Sequence, residues 1–112
     1  HSAGSWCVPS RYGLLSGQYP LRKAMKTQLG SLRSPERPTI ASLLQQNGYH
    51  TGMVGKWHLG FESVSSWDKV DFSKPLRGGP ADRGFDYFFG MHASLDIPPY
   101  FYIENRHALA PP

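Results

Sequence analysis

The 112-residue sequence predicts an α/β fold, a mainly parallel sheet flanked by helices, and three observations carry that expectation. Thr39 to Asn47 has the apolar spacing of a helix, and Tyr49 to Val54 follows it after a short turn with the alternation of a strand. Further on, Phe85-Asp86-Tyr87-Phe88-Phe89-Gly90 is aromatic and strand-like or core-anchoring. A helix that turns directly into a strand is the unit from which parallel sheets are built.

Taken along the chain, a short helix is expected from Pro9 to about Ser16, ended by Gly17. Pro9 suits the first turn, where its missing N–H leaves no bond unmade and its fixed φ favours helix entry. Gln18 to Pro38 is polar, holds Pro20, Gly30, Pro35 and Pro38, and reads as a long connection. Connections of that length are uncommon in compact domains, which points to part of something larger. In the helix from Thr39 to Asn47, Thr39 serves as cap, and Ile40, Leu43 and Leu44 share one face at i, i+3, i+4. Gly48 supplies the left-handed position after it. The stretch from Gly60 to about Gly84 reads as polar and irregular, and there are no internal repeats.

Composition bounds the function. Apolar residues make up 39% and charged residues 18%, compatible with a packed core of one domain at most. No run approaches the roughly 18 apolar residues needed to span a bilayer. The net charge of +4 suits an anionic substrate. Lys23, Lys26, Arg33 and Arg37 are nevertheless scattered through a loop, without the aromatic-interleaved basic stripe of a nucleic-acid binder. Cys7 is the only cysteine, so no intrachain disulfide forms and the count does not report the redox compartment.

Cys7-Val8-Pro9-Ser10-Arg11-Tyr12-Gly13-Leu14-Leu15-Ser16-Gly17 is the most informative segment. It places a nucleophile at a helix N-terminus, where unpaired N–H groups favour an anion. Arg11, one turn on, brings a permanent cation within reach. A second segment, Gly55-Lys56-Trp57-His58-Leu59-Gly60, lies just beyond the predicted strand, where ligand sites of open α/β sheets form. If the extended conformation continues, Lys56 and His58 point one way and Trp57 the other. Lysine holds an anion as a compact charge, and histidine titrates near neutral pH.

The pattern C-x-P-S-R-x-x-L-L-[S/T]-G resembles the signature of the type I sulfatases, with Ser16 where threonine is more usual. G-K-W-H-L-G resembles a second signature of the same family. Gly84 to Asp96 resembles its segment G-F-D-x-F-x-G-x-x-x-S-x-D, which brings Ser94 close to the substrate's sulfate. The resemblance implies an alkaline-phosphatase-like sandwich and the hydrolysis of aryl or carbohydrate sulfate monoesters. It also implies that Cys7 is oxidised to Cα-formylglycine by a formylglycine-generating or sulfatase-maturating enzyme. In that scheme formylglycine is hydrated to a geminal diol, and one hydroxyl, bound to a divalent cation (usually calcium), attacks sulfur. The second hydroxyl loses its proton to His58, Lys56 holds a sulfate oxygen, and Arg11 steadies the diol. Position 7 is thereby both nucleophile and metal ligand, and Lys56 and Ser94 bind substrate. Asp96 either orients the site or closes a turn before Pro98-Pro99, while His92, His50 and His107 stay outside the site.

The family's acidic metal ligands, an Asp-Asp step and an Asp-Asn step, have no counterpart here; the aspartates are Asp68, Asp71, Asp82, Asp86 and Asp96. Residues 1–112 are therefore expected to be part of an N-terminal catalytic domain that lacks both metal-ligand segments and is inactive alone. The resemblance places such proteins in the periplasm, outside the cell or in lysosomes. Two other readings stay open: a phosphonate or phosphate ester hydrolase of the same superfamily, and a non-catalytic sulfatase-like remnant. A Cys-based phosphatase is disfavoured, since it requires arginine six positions after the cysteine, where Gly13 stands.

Overall fold

The computed structural model describes residues 6–20, 37–62 and 64–110. Its regular elements are α1 (Cys7–Ser16), α2 (Ile40–Gln46), β1 (Gly52–Lys56), β2 (Tyr87–Met91), β3 (Tyr102–Glu104) and β4 (His107–Leu109). Two single 3₁₀ turns, Trp67–Lys69 and Pro80–Asp82, interrupt the long passage between β1 and β2. The sheet runs β1-β2-β3-β4. The β1–β2 pair is parallel, with Val54 opposite Phe89 and Lys56 opposite Met91, and the two pairs after it are antiparallel. The α/β class stands, with parallel pairing confined to β1–β2 among the described residues.

Helix α1 starts two residues earlier than the sequence predicts and ends as expected, with Gly17 at φ 66° donating its N–H to the Gly13 carbonyl. Its buried face is Val8, Tyr12 and Leu15. These pack with Trp57, Leu59, Phe88 and Ile103 against one side of the sheet. Trp57, Phe88 and Ile103 are wholly enclosed, each worth about 1.5–3 kcal/mol of burial.

Helix α2 begins with a reciprocal cap: Ser42 N–H donates to Thr39 Oγ1 at 3.0 Å, and Thr39 N–H to Ser42 Oγ at 2.8 Å. It ends in a Schellman turn, with Gly48 N–H on the Gln45 carbonyl and Tyr49 N–H on that of Leu44. The expected apolar face is not the packed one. Ile40, Leu43 and Leu44 remain 40–50% exposed, whereas Ala41 is buried. The helix approaches the rest of the chain through its small residues, so close to Gly84 that a Cβ there would overlap the Ser42 backbone.

Strand β1 lies further along than the predicted Tyr49–Val54. Its ladder begins with Gly52 opposite Tyr87, because Thr51 N–H is taken by the Asp86 carboxylate at 2.8 Å. The passage from Gly60 to Gly84 contributes to the core rather than running over it. Phe61 and Leu76 are buried, and Trp67 packs on Phe61, Phe72 and Phe101 at ring separations of 5.3–6.2 Å. The predicted connection 18–38 falls largely on residues outside those described, Lys23, Lys26 and Arg33 among them; Arg37, at its end, hydrogen-bonds Gln18.

Candidate active site

At the start of α1 the N-cap is Trp6, an extended residue with no side chain to offer the helix, and the first turn holds no acid. The positive end of the helix dipole falls at half-buried Cys7, and the Ser10 N–H closes the first turn on the Trp6 carbonyl at 3.3 Å. Arg11, one turn along, does not turn back to the cysteine. Its Nε donates to the Trp57 carbonyl at 3.1 Å and an Nη to the Lys56 carbonyl. The guanidinium thus bolts the nucleophile helix to the end of β1. Burial lowers its pKa, and the nearby Cys7 partly offsets that by favouring the charge.

Beyond β1 the chain departs from the extended course. His58 lies at φ 57°, in the left-handed region, where a non-glycine residue is uncommon and costs about 1–2 kcal/mol. The departure is pinned by two hydrogen bonds, Trp57 N–H to the Met91 carbonyl at 2.9 Å and His58 N–H to the His92 carbonyl at 2.8 Å. Trp57 is driven into the core, its indole N–H donating to the Gly60 carbonyl at 2.7 Å. Lys56 and His58 nevertheless meet at one atom. Lys56 Nζ donates to Ser94 Oγ at 3.1 Å, and His58 Nδ1 stands 3.5 Å from the same oxygen.

Four of the residues singled out in the sequence therefore converge: Arg11 from α1, Lys56 and His58 from the end of β1, and Ser94 from the turn after β2. Cys7 joins them through Arg11, and among the described residues no hydrogen bond ties its side chain to the other three. Asp96 is exposed and close enough to favour a charge on His58. Ile97 N–H closes the turn onto the Ser94 carbonyl at 3.0 Å. His50 is exposed, 3.5 Å from Asp86, and His107 is exposed on β4.

Burial chiefly, and then the charges of Lys56, Arg11 and His92, lower the pKa of His58 against the opposing pull of Asp96. The imidazole is consequently neutral at pH 7, able to accept a proton. It lines a cavity of about 180 Å³ together with Phe61, Ser65, Trp67, His92 and Ile97. His92 and Trp67 were not marked by the motifs. The one signal for His92 is its place two residues before Ser94, and Trp67 sits in a segment that reads as a polar loop.

Among the described residues no three His, Cys, Asp or Glu side chains converge as a metal would require. The described residues do not by themselves form a cation site.

The comparisons with known proteins agree with one another. A family model described as Sulfatase matches residues 1–106. Arylsulfatase G of Canis lupus familiaris is 42% identical over 102 residues, 87% of this chain and 16% of that protein. The N-acetylgalactosamine-6-O-sulfatase of Bacteroides thetaiotaomicron is 34% identical over 114 residues, 97% of this chain and 22% of that one. A solved structure concerned with glycosaminoglycan metabolism by Bacteroides thetaiotaomicron superposes with a TM-score of 0.79 at 37% identity, covering 96% of this chain and 22% of that chain. The chain thus spans about a fifth of the length of the relatives it matches. With a family model covering nearly all of it, the chain belongs to the sulfatase family.

Proposed function

We propose that residues 1–112 are part of the N-terminal catalytic domain of a sulfuric ester hydrolase acting on aryl or carbohydrate sulfate monoesters. The observation that supports this most is the meeting of Lys56, His58 and Ser94 at one oxygen, with Arg11 tying the Cys7 helix to the same strand end. A sulfate monoester needs its sulfuryl oxygens neutralised, a nucleophile supplied and a proton moved. Cys7, converted to formylglycine by a maturating enzyme, would supply a carbonyl hydrate as the nucleophile. A divalent cation, calcium by family resemblance, would draw its ligands from outside the described residues, with position 7 as this chain's contribution. Among the described residues no three His, Cys, Asp or Glu side chains converge, so these residues alone do not hold the cation.

The chain's own residues account for the rest. Lys56 presents an ammonium to one sulfuryl oxygen, and the Ser94 hydroxyl hydrogen-bonds another. With His58 Nδ1–H directed at Ser94 Oγ, Nε2 is left as the acceptor of a proton from the nucleophile. The lowered pKa of His58 keeps that acceptor free below the pH at which an ordinary imidazole is protonated. Trp57, wholly buried behind the strand end, anchors the segment that carries half-buried Lys56 and buried His58. The site belongs to a protein of the periplasm, the extracellular space or the lysosome, as family resemblance has it.

Steady-state kinetics of the full-length protein test the reading. An aryl sulfate should be hydrolysed with kcat/KM at least about tenfold above that for the matching aryl phosphonate, and Cys7→Ala should abolish turnover. A preference for the phosphonate supports instead a phosphonate or phosphate ester hydrolase of the same superfamily. Full sulfate release by Cys7→Ala removes the nucleophile from the scheme, and absence of turnover on either ester favours a non-catalytic remnant.

A further inference from the structure

His92 stands outside the motifs that point to the site, yet its ring sits where the site's loop is closed. The imidazole is buried, 6% exposed, with Nε2 2.7 Å from the Pro99 carbonyl oxygen. It stacks on Phe101 at 5.4 Å with 17° between the planes and leans on Trp67 at 4.6 Å. A carbonyl only accepts, so Nε2 carries the proton and donates. The main-chain carbonyl of the same residue receives the His58 N–H at 2.8 Å. One residue at the end of β2 therefore grips both the backbone of His58 and the far end of the loop 93–99. That loop carries Ser94, and it has little packing of its own at the tip, where Leu95 is 76% exposed and Asp96 is exposed.

We propose that His92 is a positioning residue: its Nε2–H, aimed by stacking on Phe101 and by the tilted contact with Trp67, closes the 93–99 loop on the Pro99 carbonyl and so holds Ser94 Oγ against Lys56 and His58. The inference rests on the reading of Ser94 and Lys56 as sulfate-binding groups. Ring packing fixes the direction of the donor, and without it a half-buried carbonyl loses its partner and the loop its closure. Ser94 would then drift while Lys56 and His58 stay anchored by their strand, so the defect appears in substrate binding.

Two variants of the full-length protein separate this role from a merely structural one. His92→Phe keeps an aromatic ring against Trp67 and Phe101 but cannot donate; His92→Gln restores a donor near the Nε2 position. On an aryl sulfate, His92→Phe should raise KM about tenfold with kcat within about threefold of wild type, and His92→Gln should return KM to within about threefold. A wild-type KM in His92→Phe overturns the proposal. So does a loss confined to kcat, the mark of a smaller folded fraction, or a His92→Gln variant as impaired as His92→Phe. Should the wild type release no sulfate, the functional reading fails, and the positioning role is read from a crystal structure of full-length His92→Phe. Displacement of Ser94 Oγ beyond hydrogen-bonding distance of Lys56 Nζ supports it, and an unmoved Ser94 overturns it.

Discussion

Arg11→Lys tests whether the guanidinium serves the site by geometry or by charge alone. In the structure Nε and one Nη reach two successive carbonyls, those of Trp57 and Lys56, from a half-buried position. A lysine ammonium keeps the positive charge near Cys7, but as a single point it cannot span both acceptors. Hydrogen bonds from a charged donor contribute about 1.5–3 kcal/mol each. The two share one group and are not independent, so their joint loss is taken as about 2–4 kcal/mol. If the relaxed strand end is unproductive, kcat/KM for an aryl sulfate falls about 30- to 1000-fold, at 1.36 kcal/mol per decade. The assay is steady-state hydrolysis by full-length wild type and Arg11→Lys, with circular dichroism to establish that both are folded. An Arg11→Lys enzyme within about threefold of wild type would refute the geometric role and leave Arg11 as a charge only.

Three further outcomes follow from the same contacts. His58 has a folded pKa below its free value, so neutral imidazole stabilises the fold fully above pH about 6.5, and that stability is lost as pH falls through the lowered value. Lys56→Met removes the largest electrostatic contribution to the lowering, and the His58 ring proton resonances should titrate at higher pH; an unchanged midpoint contradicts the coupling. Asp86, held ionised by Thr51 N–H and Gln45, has a depressed pKa, so its contribution is present above about pH 3.9 and lost as pH falls through the folded value. Asp86→Asn should accordingly lower Tm at pH 7 and flatten the acid side of the Tm–pH curve, and an unaltered curve sinks the assignment. Gly90→Ala should destabilise by about 3 kcal/mol or more, since its Cβ would overlap the Gly55 carbonyl across the β1–β2 pair. An unchanged Tm would show that the two strands are not packed so closely.

What was legible in the sequence was local chemistry. Gly17 and Gly48 mark helix ends because only a left-handed residue completes those turns, and both adopt positive φ. Thr39 was readable as a cap, although its reciprocal partner is Ser42 rather than the usual Glu or Gln. The three motifs led to side chains that share one corner of the fold: the β1–β2 pairing draws two of the motifs together at the strand ends, and Arg11 ties the third to them through the Trp57 and Lys56 carbonyls. What failed was decided by partners distant in sequence. The onset of β1 depends on Asp86, and the buried side of α2 depends on the approach of Gly84 to Ser42. The β3–β4 hairpin turns through Asn105 at φ 55° followed by Arg106, without the Asn-Gly or Asp-Gly pair that announces such turns. His58 and Lys56 were expected to align through continued extension, and they meet instead through a left-handed His58.

The proposed chemistry depends above all on what side chain occupies position 7 in the mature protein. Mass spectrometry of the proteolytic peptide containing Cys7, prepared from full-length protein made in its native host, reads this directly. The predicted result is a peptide in which CH₂SH has been replaced by CHO, with the aldehyde captured by a hydrazide probe. A peptide carrying only the free thiol, from protein that still releases sulfate, would contradict the central claim.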